Sequence, residues 1–323
     1  RFPDLRVPPH SRWRHFEAGG VDRRAELEAQ LAGRSSADAA RARIDLTVVS
    51  VLLDAGAGPA WRYADSDGQR YARSEGLGVA SFRAFMNGRF SAIAGEPLRA
   101  DAGVLARLDA AALSEIFQVS ADNPMVGLEG RAALLARLGA VLAAAPATSP
   151  WPQRPGQLYD RLWAASAAGD VAGNVAAGGA GEAPATPRRV SAAELLLQVL
   201  TLTDGSFMQG TPVMGRSVGD VWAHRFAGAA VAGGGEDSVT TGVVPFHKLS
   251  QWLSYSLLEP LAWAGIAVDM DDEAGALTGL PEYRNGGLLL DTGVIVPRQA
   301  RLMDRRFKPG DEAIVEWRAL TVA

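Results

Sequence analysis

The chain has 323 residues, 48% hydrophobic and 21% charged, with a formal net charge of −4 and no cysteine, a length that supports a substantial core and is expected to form a single domain over 1–323. The acidic balance excludes a general nucleic-acid binder, the missing thiols exclude disulfides and thiolate chemistry, and no apolar run approaches the roughly 20 residues that span a bilayer. With no visible signal peptide, the cytoplasm is the expected compartment.

The opening "RFPDLRVPPHSRWRHFEAGGVDR" is rich in proline and glycine and reads as an extended loop, ending where Asp22 caps a helix over 23–32. A second helix is predicted over 37–53, with Ile44, Val48 and Leu52 on one stripe. "WRYADSDGQRYARS" reads as a hairpin about Ser66-Asp67-Gly68, and Ser74 is expected to cap "EGLGVASFRAFMNG" with Leu77, Phe82 and Phe85 inward. Helices follow over 103–118 and 129–143, separated by "SADNPMVG". Residues 164–189 are a low-complexity Ala/Gly/Pro segment, read as a surface insertion.

Helical patterns resume in "SAAELLLQVLTL", "SVGDVWAHRFA" and "VPFHKLSQWLSYSLLEP", and past Gly265 the runs "LTGLPEYRNGGLLLDTGVIVPR" and "DEAIVEWRALTV" read as strands. The predicted class is mainly α with a minor β component.

The run containing Lys248 carries the strongest chemical signal. Lys248 and Lys308 are the lysines of a chain whose other cations are arginines, which singles them out as positions suited to a compact ammonium. At 100° per residue, Lys248, Gln251, Tyr255 and Glu259 share an arc of roughly 80° over three turns, with Trp252 and Trp263 along one edge and Leu249, Leu253, Leu257 and Leu261 in another sector. The stripe fits either a solvent-facing side or the floor of a site with a cation, an amide, a phenol and a carboxylate. Pro260 inside the helix, beside Glu259, favours the second.

Three other constellations stand out. "HSRWRH" sets His10 and His15 around Arg12 and Arg14, a spacing awkward for metal ligation and better suited to a loop holding a phosphate or sugar. "RSEGLGVASF" has G-x-G without the third glycine, so a dinucleotide site is discounted; Ser74 and Glu75 remain substrate-binding candidates. "LPEYRNGG" places Glu282, Tyr283 and Arg284 before a Gly-Gly turn, while Asp269, Asp271, Asp272 and Glu273 read as solvated surface.

Taken together, "HSRWRHFEAGG", "RSEGLGVASF", "NPMVGLEGR", "VPFHKLSQWLSYSLLEP" and "LTGLPEYRNGGLLLDTGV" resemble the uracil-catabolism protein 4 family. More remotely, the C-terminal half resembles the queuosine 5′-phosphate N-glycosylase family of helical enzymes. Its Lys-x-x-Gln helix matches Lys248 and Gln251, and its Asp-Tyr-Arg segment matches Glu282, Tyr283 and Arg284. The acidic residue of that family's helix aligns with Ser256, and the nearest carboxylate, Glu259, lies one turn later.

These resemblances imply a compact helical fold and a hydrolase of an N-ribosyl bond in a ribosylurea 5-phosphate or related nucleoside 5′-phosphate. Glu259 is then the expected catalytic carboxylate, with Glu282 second. Lys248, with either Arg284 or the Arg12 and Arg14 loop, would hold the 5′-phosphate, and Gln251, Tyr255, Trp252, Tyr283 and His15 would contact the rest of a sugar-phosphate substrate. No cofactor, metal, nucleic acid or membrane is expected, and the sequence leaves the oligomeric state open. Two alternatives are a metal-dependent amidohydrolase acting through His10 and His15, and a non-catalytic binding protein for a pathway intermediate.

Overall fold

The computed structural model describes residues 10–145, 153–169, 187–203, 210–228, 241–270, 277–298 and 304–323. The fold is mainly α with minor β, as the pattern predicts: among the described residues there are twelve α-helices and six short strands. None of those helices is long and apolar enough to cross a membrane. In chain order the first are α1 (Arg12–Phe16), α2 (Arg23–Leu31), α3 (Ser36–Leu53), β1 (Tyr63–Ala64), β2 (Arg70–Tyr71) and α4 (Arg73–Met86). Then come α5 (Ala102–Leu105), α6 (Ala110–Ile116), α7 (Leu128–Ala144), α8 (Leu158–Gly169), β3 (Arg188–Ser191) and α9 (Ala192–Thr203). The rest are β4 (Val221–Ala223), β5 (Val243–Pro245), α10 (Lys248–Trp263), β6 (Ile266–Asp269), α11 (Tyr283–Asp291) and α12 (Glu312–Val322).

The chain forms two compact units, one of residues 1–202 with 252–275 and the other of 203–251 with 276–323. In the first, α3 is the axis of the core. The Ser35 side chain accepts a hydrogen bond from Asp38 N, a local N-cap, and Ile44, Val48 and Leu52 are buried as their spacing predicts. The helix is buried on its other sides too, carrying Asp45, Thr47 and Ser50 inward. Asp45 is tolerated because Arg154 and the amides of Ala100 and Gly156 donate to its carboxylate.

Asp22 caps α2 through Ala25 N, and β1 pairs antiparallel with β2, matching the sequence reading. The stretch read as an extended loop instead folds into α1 where it is described. The G-x-G of α4 has a packing cause. A Cβ at Gly78 would lie 2.9 Å from His15 Cβ, and one at Gly76 the same distance from Trp61 and the Tyr71 carbonyl. Gly78 lets α4 approach α1 closely, and Gly76 makes room for Trp61 and the β2 backbone. Ser74 lies inside α4, whose N-cap is Ala72, so the expected Ser74 cap is not formed.

Helix α7 crosses α5 at Gly139, where a Cβ would lie 2.2 Å from Ala106 N and 2.7 Å from the Ala102 carbonyl oxygen. Alanine favours a helix over glycine by about 1 kcal/mol, but overpacking against backbone costs about 1–3 kcal/mol and has no flexible side chain to relieve it. Gly139→Ala is therefore expected to lower stability, measured as a reduced guanidinium midpoint. An unchanged midpoint would mean that α5 gives way.

The segment 164–189, read as an insertion, begins inside α8 and ends in β3; residues 170–186 lie outside the described residues. Strand β3 pairs in parallel with β6 within the same unit. Asp269 ends β6, paired with Arg189, while 271–273 of the acidic run lie outside the described residues.

In the second unit β4 pairs antiparallel with β5, with Trp222 opposite Val244. Three readings are corrected here. "SVGDVWAHRFA" contains β4 rather than a helix, and neither C-terminal run forms a strand: the first contains α11 and leaves it at Asp291, and the second is α12. Gly286 does not make a turn. A Cβ there would lie 2.6 Å from Thr321 Oγ1 and Trp317 Nε1, so it is the contact point of α11 on α12.

Candidate functional site

Among the described residues, most of the candidate side chains fall into two groups, one in each unit. In the first unit, α1 lies against the part of α10 that begins at Trp252. Ser256, buried on α10, accepts a hydrogen bond from Arg12 N at 3.0 Å, which fixes the start of α1 on the helix. One turn on, Glu259 is gripped from both sides: Ser11 Oγ donates to Oε2 and Arg14 Nη2 to Oε1, each at 2.6 Å. Arg14 also pairs with Glu17 at 2.9 Å. Two donors, one on each oxygen, fix the plane of the Glu259 carboxylate. Trp13 and Trp263 meet edge to face at 4.7 Å, and Arg24 lies over Trp263 at 3.8 Å.

Beside this carboxylate is a second polar group. Arg12 is fully buried; its Nε donates to Ser50 Oγ at 2.7 Å, and its Nη1 lies 3.2 Å from Asp54 Oδ2, 3.0 Å from His15 Nδ1 and 3.1 Å from the Ser74 carbonyl oxygen. Ser74 thus contributes its backbone, and Glu75 is exposed on the first turn of α4. The rings of His10, His15 and Trp252 form an aromatic group, with His10–His15 centroids 5.4 Å apart and each 6.3 Å from Trp252. Half-buried Tyr255 has its phenol pushed up by burial.

Burial brings His15 down to about 4, assisted by Arg12 and His10 and opposed by Asp54. The unfolded value is about 6.5, so above it the ring is neutral in both states; below it the unfolded chain takes up the proton first and the fold loses stability until about pH 4. The loss attributable to His15 is on the order of 2 kcal/mol by pH 5. His247, also held down by burial, slopes the same way, whereas Asp65, brought to about 2 as Arg83 and Arg23 outweigh its burial, acts only at lower pH. Guanidinium unfolding from pH 7 to 5 is expected to show a slope that His15→Gln flattens by about that amount.

In the second unit, Asp220 organises the start of α10. Its carboxylate accepts from Arg318 Nη1 and Nη2 at 2.9 and 2.7 Å, from Trp222 Nε1 at 2.7 Å and from Lys248 N at 3.1 Å. Its carbonyl oxygen accepts from Phe246 N and His247 N. Burial alone would raise Asp220, but Arg318 outweighs it and holds the carboxyl below its usual range. Two of the amides left over at the helix start, His247 N and Lys248 N, are thereby satisfied, and Lys248 is pinned at the first position.

Lys248 Nζ pairs with Glu282 Oε2 at 2.6 Å. Gln251 is buried, its Nε2 donating to the Phe246 carbonyl and its Oε1 accepting from Thr278 N, so its amide is engaged at both ends inside the unit. Tyr283 packs on Trp317 and lies within 5.7 Å of the Arg318 guanidinium. Arg284 is exposed and makes no ion pair among the described residues.

The structure thus brings Arg12, Arg14, His15, Trp252 and Glu259 together in one unit, and Lys248, Gln251, Glu282 and Tyr283 in the other. It adds Ser11, Asp54, Asp220 and Arg318, which the sequence did not single out. A carboxylate closing an apolar run, as Asp54 closes "VVSVLLD", was a usable signal; Asp220 and Arg318, 98 residues apart, gave none.

Against known proteins, the family model described as "Protein of unknown function (DUF1688)" matches residues 1–323. The chain belongs to the DUF1688 family. Protein urg3 of Schizosaccharomyces pombe is 36% identical over 318 residues, covering 98% of this chain and 69% of the relative. Uracil catabolism protein 4 of Lachancea kluyveri is 35% identical over 340 residues, covering 98% and 72%. DUF1688 membership agrees with the resemblance carried by the sequence motifs.

Proposed function

We propose that this DUF1688 chain acts in uracil catabolism as a hydrolase of an N-ribosyl bond, on a ribosylurea 5-phosphate or a related nucleoside 5′-phosphate. The observation that carries the reading is the carboxylate of Glu259, held and oriented by Ser11 and Arg14. In such a hydrolysis the C1′–N bond breaks with its electron pair leaving on nitrogen, water oxygen bonds to C1′, and a water proton ends on the released nitrogen. The ring passes through an oxocarbenium-like state, which a fixed carboxylate stabilises. Glu259 holds that charge and orients the water.

The pathway assignment draws on the name of the Lachancea relative. For the second unit taken alone, Lys248 and Arg284 are proposed as anion-binding residues, Lys248 exchanging its Glu282 partner for the anion. No metal or organic cofactor enters this reading. The test is to incubate the protein with ribosylurea 5-phosphate and follow free urea and ribose 5-phosphate. Equimolar release is expected; tight binding without release would leave a non-catalytic binding protein.

A further inference from the structure

We propose that His15 is a neutral hydrogen-bond donor whose proton is fixed on Nε2 by Arg12, and that with Asp54 it forms a subsite for a planar, uncharged urea-type group. The inference rests on the hydrolase reading for its substrate class, and on the geometry around His15 for everything else. A guanidinium donates and never accepts. His15 Nδ1, 3.0 Å from Arg12 Nη1, is therefore the accepting nitrogen, and the ring carries its proton on Nε2.

Burial works in the same direction by keeping the ring uncharged. The charged and titratable groups facing it are Arg12, Asp54 and His10. Placing a metal on Nε2 would move the proton to Nδ1, against the Arg12 N–H groups, so this ring is set up to donate rather than to ligate or to act as a base.

The unpaired polar atoms point to what binds beside it. Arg12 Nη2 and Trp252 Nε1 are buried N–H groups without an acceptor, and Asp54 Oδ1 is a buried acceptor without a donor. A ureido group offers a carbonyl oxygen to the first kind and an N–H to the second, in one plane, beside the rings of His10 and Trp252. The α1 segment, read from sequence as a loop holding a phosphate or sugar, is thereby assigned to the leaving group.

The test uses the full chain with 15N-labelled histidine at pH 7, the His15 signals being assigned by their loss in His15→Gln. Proton–nitrogen correlation spectra are expected to show Nδ1 unprotonated and Nε2 protonated. N-methylurea should shift the Nε2 signal while inorganic phosphate leaves it in place. His15→Gln, which keeps an N–H donor, should hold N-methylurea affinity within about threefold, and His15→Leu should lose at least about tenfold. A proton on Nδ1, a cationic ring, a response to phosphate, or no response to N-methylurea would overturn the proposal. None of these readings needs turnover. Cleavage of ribosylurea 5-phosphate with no N-methylurea response would sink the subsite alone, and a normal response without cleavage would sink the hydrolase alone.

Discussion

Replacing Glu259 by glutamine is expected to lower the turnover of ribosylurea 5-phosphate at least about 10²-fold while costing at most about 1 kcal/mol of stability. Glutamine has nearly the same size, and its amide oxygen can still accept from Ser11 Oγ, so the α1–α10 contact survives. What disappears is the negative charge proposed to stabilise the oxocarbenium-like state. The Arg14–Glu259 pair is part-exposed, with the two side chains 33% and 23% accessible, so its own contribution to folding is in the modest surface range. Turnover and guanidinium unfolding measured side by side separate the two effects. Wild-type turnover in Glu259→Gln would move the catalytic role to Glu282, and a matching collapse of stability would make Glu259 a structural anchor of α1. The ratio of the two losses is therefore the informative quantity.

How much of this arrangement was legible in the sequence depends on the range over which each feature is determined. Local signals read well. Asp22 next to a helical pattern capped α2, the Ser66-Asp67-Gly68 cluster turned the β1–β2 hairpin, and the stripe of α3 faced inward. The failures came where a residue serves a distant partner. Gly286-Gly287 looked like a turn because the reason for Gly286, the edge of Trp317 on α12, lies 31 residues away. The G-x-G of Gly76 and Gly78 was discounted as a dinucleotide site, but its packing partners, Trp61, Tyr71 and His15, left no local signal. The polar stripe of α10 was legible as spacing but not as environment. Gln251 turned out to be a staple to Thr278, whereas Glu259 found its two donors on α1. Spacing ranks such residues equally, and only the tertiary partners separate a buried amide from a poised carboxylate.

The largest effect on stability is expected from Asp220→Ala. The substitution leaves the Arg318 guanidinium, itself only 3% accessible, buried without its counter-ion. Removing one partner of a buried ion pair costs about 3–5 kcal/mol, mostly the penalty of the charge left behind. Here Trp222 Nε1 and Lys248 N lose their acceptor as well. Arg318→Met on its own should also destabilise, by leaving Asp220 uncompensated, but the double variant should be much milder than the sum, because methionine can pack against Phe246, over which Arg318 Cζ now lies at 4.1 Å. Urea unfolding of the four proteins gives the coupling directly. Hydrogen exchange should locate it in β4, β5, α12 and the first turn of α10. If the double variant were as unstable as the sum of the singles, Asp220 would matter for the amides it receives and not for its charge. In that case Asp220→Asn, which keeps an acceptor but drops the charge, would restore most of the loss. If the ion pair dominates, Asp220→Asn should stay nearly as unstable as Asp220→Ala, since the uncompensated guanidinium is common to both.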